Sequence, residues 1–215
     1  MRKLTAEFVG TYFLLFCGCG AIVINQVSDG VITHMGIAIT FGLIIMCLIY
    51  ALGEISGAHF NPAVSIAFTV AGKFPKSDLV PYIISQILGA VAAAFTLKIL
   101  FPTNQLLGST IPAGSALQSF FLEILLTLLL MLVIIRVAHG SKEVGLFAGV
   151  AIGATVGLDA MFGGPISGAS MNPARSIGPA LASGHLEHLW VYLLAPVIGA
   201  ILAIYLNNYL IKKIK

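Results

Sequence analysis

Long apolar stretches without charged residues dominate the chain and predict its helices. Asp, Glu, Lys and Arg are absent from residues 8–28, 30–53, 79–97, 124–135, 144–158 and 188–211. A helix needs about 20 mostly apolar residues to cross a bilayer. We therefore predict an all-α membrane protein with six spanning helices, at residues 4–25, 32–52, 79–100, 119–138, 144–162 and 188–210.

The composition supports this interpretation and excludes other classes of protein. Apolar residues make up 59% of the 215 residues and charged residues only 9%, whereas soluble domains are typically about a quarter charged. The 11 basic residues form no dense basic face, which excludes nucleic acid as a partner. Cys17, Cys19 and Cys47 lie inside apolar runs and are interpreted as small buried hydrophobic residues. We expect no metal site and no cofactor.

The distribution of Lys and Arg predicts the orientation in the membrane. Six spans place both termini on the same side. That side holds nine basic residues: Arg2, Lys3, Lys73, Lys76, Arg136, Lys142, Lys212, Lys213 and Lys215. The other side holds Lys98 and Arg175. Because basic residues accumulate in cytoplasmic loops, we predict a multi-pass protein of the cell (inner) membrane with both termini in the cytoplasm.

Two apolar segments, residues 61–72 and 172–182, are too short to span the bilayer and resemble each other. Residues 56–65 (SGAHFNPAVS) and 167–176 (SGASMNPARS) are identical at seven of ten positions. Glu and Thr also recur four residues apart in the first span of each half, as Glu7 with Thr11 and Glu123 with Thr127.

These matches predict one channel domain over residues 1–215, built from repeat one (about 1–102) and repeat two (about 115–215). With three spans in each repeat, the second repeat enters the membrane from the opposite face. The two short segments then approach the midplane from opposite sides, as in membrane pores and transporters with inverted repeats. The predicted architecture is thus six spanning helices with two re-entrant half-helices.

The repeated triplets Asn61-Pro62-Ala63 and Asn172-Pro173-Ala174 are typical of helix starts. Asn is a strong N-cap and Pro is favoured at the first helical position. The positive ends of two such helices would meet near the bilayer centre. There they would repel cations and protons, while each Asn offers an amide donor to a passing neutral solute.

On these motifs the chain resembles the aquaporin (major intrinsic protein) family along essentially its whole length. Residues 157–181 and 190–196 most resemble the nodulin-like intrinsic proteins of plants and their bacterial relatives. The resemblance implies a channel and not an enzyme, lying in a lipid bilayer as a homotetramer with one pore per subunit. Glu54 departs from the pattern, because many relatives have His there, and this leaves open any pH response of its loop.

The resemblance also implies a constriction of four residues, which fall on Phe41, Ala160, Ala169 and Arg175. Water-selective relatives have His at the first alanine and a small polar residue or Cys at the second. The two alanines therefore predict a wider opening that passes water and small uncharged solutes such as glycerol, arsenite or other metalloid hydroxides. A strictly water-selective aquaporin is the alternative, and it is favoured by the water-type residues Ser176 and Ala180.

The remaining polar residues allow two interpretations each. Glu7 and Glu123 could form a proton relay, but they are better explained as acceptors for the non-helical backbone before each half-helix. His59 either lines the cytoplasmic vestibule or anchors its loop. Asp159 either holds a loop or widens the outer vestibule.

Two other classes of protein are weaker alternatives. An ion-coupled transporter shares inverted repeats and broken helices, but it needs carboxylates at the substrate site. The acids here fall in the first and fourth spans. An intramembrane hydrolase using Ser170 would need a nucleophile elbow, and residues 168–172 lack its closing glycine.

Overall fold

The computed structural model describes residues 1–138 and 140–212 of the chain, and the fold is built from helices. Within the described residues, six helices are long and apolar enough to cross a membrane. They are α1 (Arg2–Val27), α2 (Thr33–Ser56), α4 (Lys76–Leu100), α5 (Ala116–Ala138), α7 (Ala148–Ser167) and α9 (Leu189–Lys212). The shorter helices are α3 (Pro62–Val70), α6 (Lys142–Leu146) and α8 (Pro173–Ser183).

This architecture confirms the predicted all-α membrane fold with six spanning helices. The two short segments predicted at 61–72 and 172–182 form α3 and α8, which we call the half-helices. Lys213 and Lys215, which entered the prediction of orientation, lie outside the described residues.

The fifth span differs from its predicted bounds of 144–162. Its first residues belong to the separate helix α6, which Ser141 caps by accepting a hydrogen bond from the backbone N–H of Val144 (3.4 Å). At the other end α7 runs through Gly163, Gly164 and Pro165 and stops only at Ser167. The span predicted from the apolar run ended at residue 162, whereas the helix continues through a proline, which lacks the N–H that would bond four residues back.

His34 explains why the helix tolerates this proline. Pro165 leaves the carbonyl of Met161 without its usual helical donor. Nε2 of His34, the second residue of α2, lies 2.6 Å from that carbonyl oxygen and donates to it. A side chain from a neighbouring helix thus replaces the missing backbone bond.

Close helix crossings hold the bundle together. The helices pack in the pairs α1 with α4, α2 with α7, and α5 with α9. At the crossing of α2 and α7, a Cβ on Gly42 would stand 2.7 Å from the carbonyl oxygen of Gly153. A Cβ on Gly153 would stand 2.6 Å from the carbonyl oxygen of Gly42. Only glycine at both positions allows this backbone approach, as is common between membrane helices.

The outer surface of the bundle is apolar, as a lipid-facing surface should be. Large hydrophobic side chains stand exposed on every spanning helix, among them Phe13, Leu43, Leu88, Leu125, Leu158 and Leu194. Cys47 is also exposed and Cys17 is half-buried, so the expectation that all three cysteines are buried holds only for Cys19. The place of Cys47 in an apolar run reflects contact with lipid rather than with the core.

Candidate functional site

A cavity of about 180 Å³ lies where the two half-helices begin. All four residues of the expected constriction line it: Phe41, Ala160, Ala169 and Arg175. Each is nearly buried, with exposed fractions of 8%, 7%, 7% and 2%. Most of the remaining wall is aliphatic or aromatic, so the polar groups of the cavity are few and fixed in position.

Each half-helix begins as the Asn-Pro-Ala triplet predicts. The side-chain oxygen of Asn61 accepts from the backbone N–H of Ala63 (2.9 Å). The side-chain oxygen of Asn172 accepts from the backbone N–H groups of Ala174 (3.0 Å) and Arg175 (3.3 Å). Pro62 and Pro173 occupy the first helical positions.

The two caps also bind each other's loops. Nδ2 of Asn61 donates to the carbonyl of Met171 (2.8 Å), and Nδ2 of Asn172 donates to the carbonyl of Phe60 (2.8 Å). The sequence predicted that the amide N–H groups of both Asn residues are free to bind a solute. The hydrogen bonds between the two loops use one N–H of each amide. Because an amide nitrogen carries two hydrogens, one remains on each Asn, and both residues line the cavity.

Glu7 holds the loop that leads from α2 into α3. Its carboxylate oxygens accept four hydrogen bonds, from His59 N (3.0 Å), Phe60 N (2.7 Å), Ser56 Oγ (2.7 Å) and Gln86 Nε2 (2.8 Å). Phe60 has a φ of 47°, and such a conformation costs a non-glycine residue about 1–3 kcal/mol. The bonds to Glu7 offset that cost and satisfy backbone groups that no helix satisfies.

Glu123 holds the second loop in the same way. Its oxygens accept from Ser167 Oγ (2.7 Å), Ser170 N (2.8 Å) and Met171 N (2.8 Å). Met171, with a φ of 53°, takes the strained conformation that corresponds to the one in the first loop. Both glutamates are fully buried, and neither lines the cavity. This geometry is the one expected of acceptors for the loop backbone.

Two tyrosines that sequence reasoning missed also support these loops. Tyr82 donates to the carbonyl of Ser56 (2.9 Å), and Tyr192 donates to the carbonyl of Ser167 (2.7 Å). Each tyrosine follows its half-helix and each serine ends the preceding span. Extending the repeat alignment past residue 176 with a gap of one residue would have paired the tyrosines and identified both.

Arg175 is fixed by groups from three other segments. Its Nη1 donates to the carbonyl of Gly108 (2.7 Å) and lies 3.4 Å from the sulfur of Cys19. The guanidinium carbon stands 5.2 Å from the centre of the Phe41 ring, a cation–π distance. Sequence reasoning had treated Cys19 as a small hydrophobic residue, and no local pattern indicated its contact with Arg175.

His59 makes the loop-anchoring contact that one interpretation expected, and its place in a cytoplasmic vestibule stays a prediction. It lines the cavity, and its Nδ1 lies 2.9 Å from Oγ of Ser65, which anchors the loop to α3. The corresponding residue of the second loop, Ser170, makes the equivalent contact to Ser176 (2.7 Å). Glu54 is exposed near the end of α2.

Asp159 differs from its sequence interpretation. It is fully buried on α7 and does not line the cavity, although the next residue, Ala160, does. Consecutive helical residues point about 100° apart, so the two side chains face different surroundings. Neither carboxylate oxygen of Asp159 has a hydrogen-bond partner among the described residues. The structure therefore supports neither a vestibule wall nor a loop anchor at this position.

Known proteins resemble the chain over nearly its whole length. A model of the major intrinsic protein family matches residues 1–207. Aquaporin NIP1-1 of Zea mays is 48% identical over 209 residues, covering 97% of this chain and 74% of that protein. Nodulin-26 of Glycine max is 49% identical over 209 residues, covering 97% and 77%. The X-ray structure of the aquaglyceroporin from Plasmodium falciparum matches with a TM-score of 0.89 and 26% identity, covering 99% and 97%.

Proposed function

The chain belongs to the major intrinsic protein family, and from that membership we propose which solutes its pore selects. The family consists of channels rather than enzymes, and this chain is a passive, multi-pass membrane channel for water and small solutes. The resemblance predicted from the sequence is thereby confirmed. We propose that the pore passes water and also small uncharged polyhydroxy molecules, such as glycerol and the neutral hydroxides of arsenic, boron or silicon.

The observation that carries this proposal is that one bulky residue, Phe41, and two small ones, Ala160 and Ala169, line the same cavity as Arg175. Ala160 and Ala169 add neither bulk nor hydrogen-bonding groups. A carbon-bearing solute therefore gains room and keeps its apolar surface against apolar walls. Arg175 still offers fixed donors to a hydroxyl group, because a guanidinium carries five N–H hydrogens.

The same cavity should exclude protons and ions. The starts of both half-helices lie at it, and each helix start carries a positive charge equivalent to roughly half an elementary charge. Arg175, 2% exposed, adds a full positive charge at the constriction. Neutral solutes cross this field at little cost, whereas a cation is repelled.

The contacts of the buried acids and of Ser170 argue against the two other classes. An ion-coupled transporter needs a carboxylate facing the substrate, yet Glu7 and Glu123 bind the loop backbone away from the cavity. The hydroxyl of Ser170 donates to the carbonyl of Asn172 (2.9 Å), so it serves the loop rather than a hydrolytic reaction. A strictly water-selective channel is the alternative that the experiment must separate.

Light-scattering measurements on proteoliposomes separate these functions. Purified protein is challenged with water, glycerol, urea and arsenite gradients, with a pH-sensitive dye to follow proton leak. We expect the wild type to conduct glycerol and arsenite and to show no proton leak. Ala160→His, which adds bulk and a competing hydrogen-bonding group, should cut glycerol and arsenite flux well below water flux. Ala160→Gly is the matched control, since it keeps the opening wide.

A wild type that conducts only water, together with an Ala160→His variant that changes nothing, would refute the assignment of the constriction. Saturable uptake driven by an ion gradient would instead favour the transporter.

We also propose that the protein is a homotetramer with one pore per subunit. It lies in the cell (inner) membrane with both termini in the cytoplasm. The family resemblance supports the first statement and the excess of Lys and Arg supports the second. The mass of the detergent-solubilised protein tests the tetramer. Protease access to tags at each terminus, in intact cells and in inverted vesicles, tests the orientation.

A further inference from the structure

Two neighbouring residues of α1, Gly18 and Cys19, contact the back of the constriction from outside the cavity. Gly18 faces the ring of Phe41, and Cys19 faces the guanidinium of Arg175. Consecutive residues of a helix point in different directions. Gly18 and Cys19 can nevertheless contact the Phe41 ring and the Arg175 guanidinium, because these two groups are themselves close. The guanidinium carbon lies 5.2 Å from the centre of the ring.

We propose that Gly18 and Cys19 are positioning residues that set the aperture of the pore, Gly18 by making room for the Phe41 ring and Cys19 by fixing Arg175. This inference rests on the proposed function, since it takes Phe41 and Arg175 to be walls of the constriction. Neither positioning residue lines the cavity.

The argument for Gly18 is steric. A Cβ built on Gly18 would overlap the Phe41 ring, standing 2.5 Å from Cζ and 2.6 Å from Cδ1. Carbon atoms in contact are normally about 3.5–4.0 Å apart, so a methyl group there forces the ring to move. The ring is packed against α1 on one side and borders the cavity on the other. The displaced ring therefore narrows the pore.

The argument for Cys19 is one of orientation. Nη1 of Arg175 lies 2.7 Å from the carbonyl oxygen of Gly108 and 3.4 Å from Sγ of Cys19. Cys19 is fully buried, and a Cβ on Gly108 would stand 2.8 Å from the Cβ of Cys19. The cysteine thus packs against the same turn whose carbonyl binds the arginine. The sulfur also lies 4.0 Å from the carbonyl oxygen of Gly108. Removing the sulfur therefore takes away one acceptor of Arg175 and a contact to the other acceptor.

The steric part is tested by comparing Gly18→Ala with Gly20→Ala in proteoliposomes. Gly20 lies on the same helix, and a Cβ there meets only Leu97 Cδ2 at an ordinary 3.4 Å. Gly18→Ala should lower the ratio of glycerol to water permeability by about tenfold, the low end of what one carbon decides in a tight pocket. Gly20→Ala should leave the ratio at the wild-type value. A smaller side chain at position 41, in the double variant Gly18→Ala with Phe41→Leu, should restore it.

Equal ratios for folded Gly18→Ala and Gly20→Ala would overturn the steric part. Where Gly18→Ala alone does not fold, the double variant decides: recovery of folded protein supports the clash with the ring, and failure to recover refutes it. If Ala160→His lowers glycerol flux and Gly18→Ala leaves the ratio of glycerol to water permeability unchanged, the steric inference fails and the proposed function stands. When the wild type conducts only water, reduced water flux in Gly18→Ala alone upholds the steric inference without the solute assignment.

The second part is tested by proton leak. Cys19→Ala removes the acceptor and should raise the leak at unchanged water flux, because Arg175 loses its fixed orientation. Cys19→Ser keeps an acceptor of similar size and should retain the wild-type barrier. A leak-free Cys19→Ala variant would refute the role of the sulfur, since a merely structural role would change thermal stability and leave the leak unaffected.

Discussion

Replacing Glu7 with glutamine should destabilise the fold without changing which solutes pass. One carboxylate oxygen accepts from the backbone N–H of His59 and the other from that of Phe60. Glutamine has a single oxygen, so whichever way its amide is placed, one of these two buried N–H groups loses its acceptor. A buried donor left unsatisfied costs about 1–3 kcal/mol. Alanine removes both acceptors and should cost about 2–6 kcal/mol by the same reasoning.

Glu123 should behave in the same way, because its two oxygens are divided between the backbone N–H groups of Ser170 and Met171. The assay is the thermal midpoint of the purified protein in detergent. In a chain of this size, 1 kcal/mol shifts the midpoint by about 2–4 °C. The glutamine variants should therefore melt about 2–12 °C lower, and the alanine variants about twice as far below the wild type.

Glu143→Gln is the control for this series, because Glu143 is exposed on α6 and binds neither loop. Its midpoint should equal that of the wild type. The selectivity of whatever protein remains folded should be unchanged in all variants. Glutamine variants that melt like the wild type but lose a proton-coupled flux would refute this reasoning and identify a proton relay instead.

Two further predictions concern the cavity itself. Arg175→Val should raise proton or cation leak while water flux is kept, because it removes the fixed charge at the constriction; an unchanged leak in folded protein would contradict this. Mercurials should block the wild type poorly, since Cys19 is buried, and Ala169→Cys, which places a thiol on the cavity wall, should make the block strong. Strong block of the wild type that Ala169→Cys does not increase would speak against this placement.

Sequence reasoning succeeded where the determinants are local. Apolar runs located the spanning helices because length and hydrophobicity alone decide whether a helix can cross a bilayer. The starts of the half-helices were predictable from Asn61 and Asn172, because the N-cap and the proline that follows it are adjacent in the sequence. The four residues of the expected constriction line one cavity, and their role in selecting solutes stays a prediction.

Sequence reasoning failed where a side chain of one helix makes a hydrogen bond that another helix needs. The bond that lets α7 continue past Pro165 joins the carbonyl of Met161 to His34, 127 residues away. The contact of Cys19 with Arg175 joins positions 156 residues apart. No periodicity within a single segment contains such a pairing, and both arise only from the way the helices cross.

The exchange of amide hydrogen bonds between the half-helix caps also has a consequence for biosynthesis. The bonds join Asn61 to Met171 and Asn172 to Phe60, residues 110 and 112 positions apart. A nascent chain exposes the first loop long before the ribosome has made the second. Closing so long a segment costs conformational entropy that only late contacts repay. The junction between the two caps therefore cannot form before Asn172 has been synthesised, and a chain that ends within the first repeat has no complete pore.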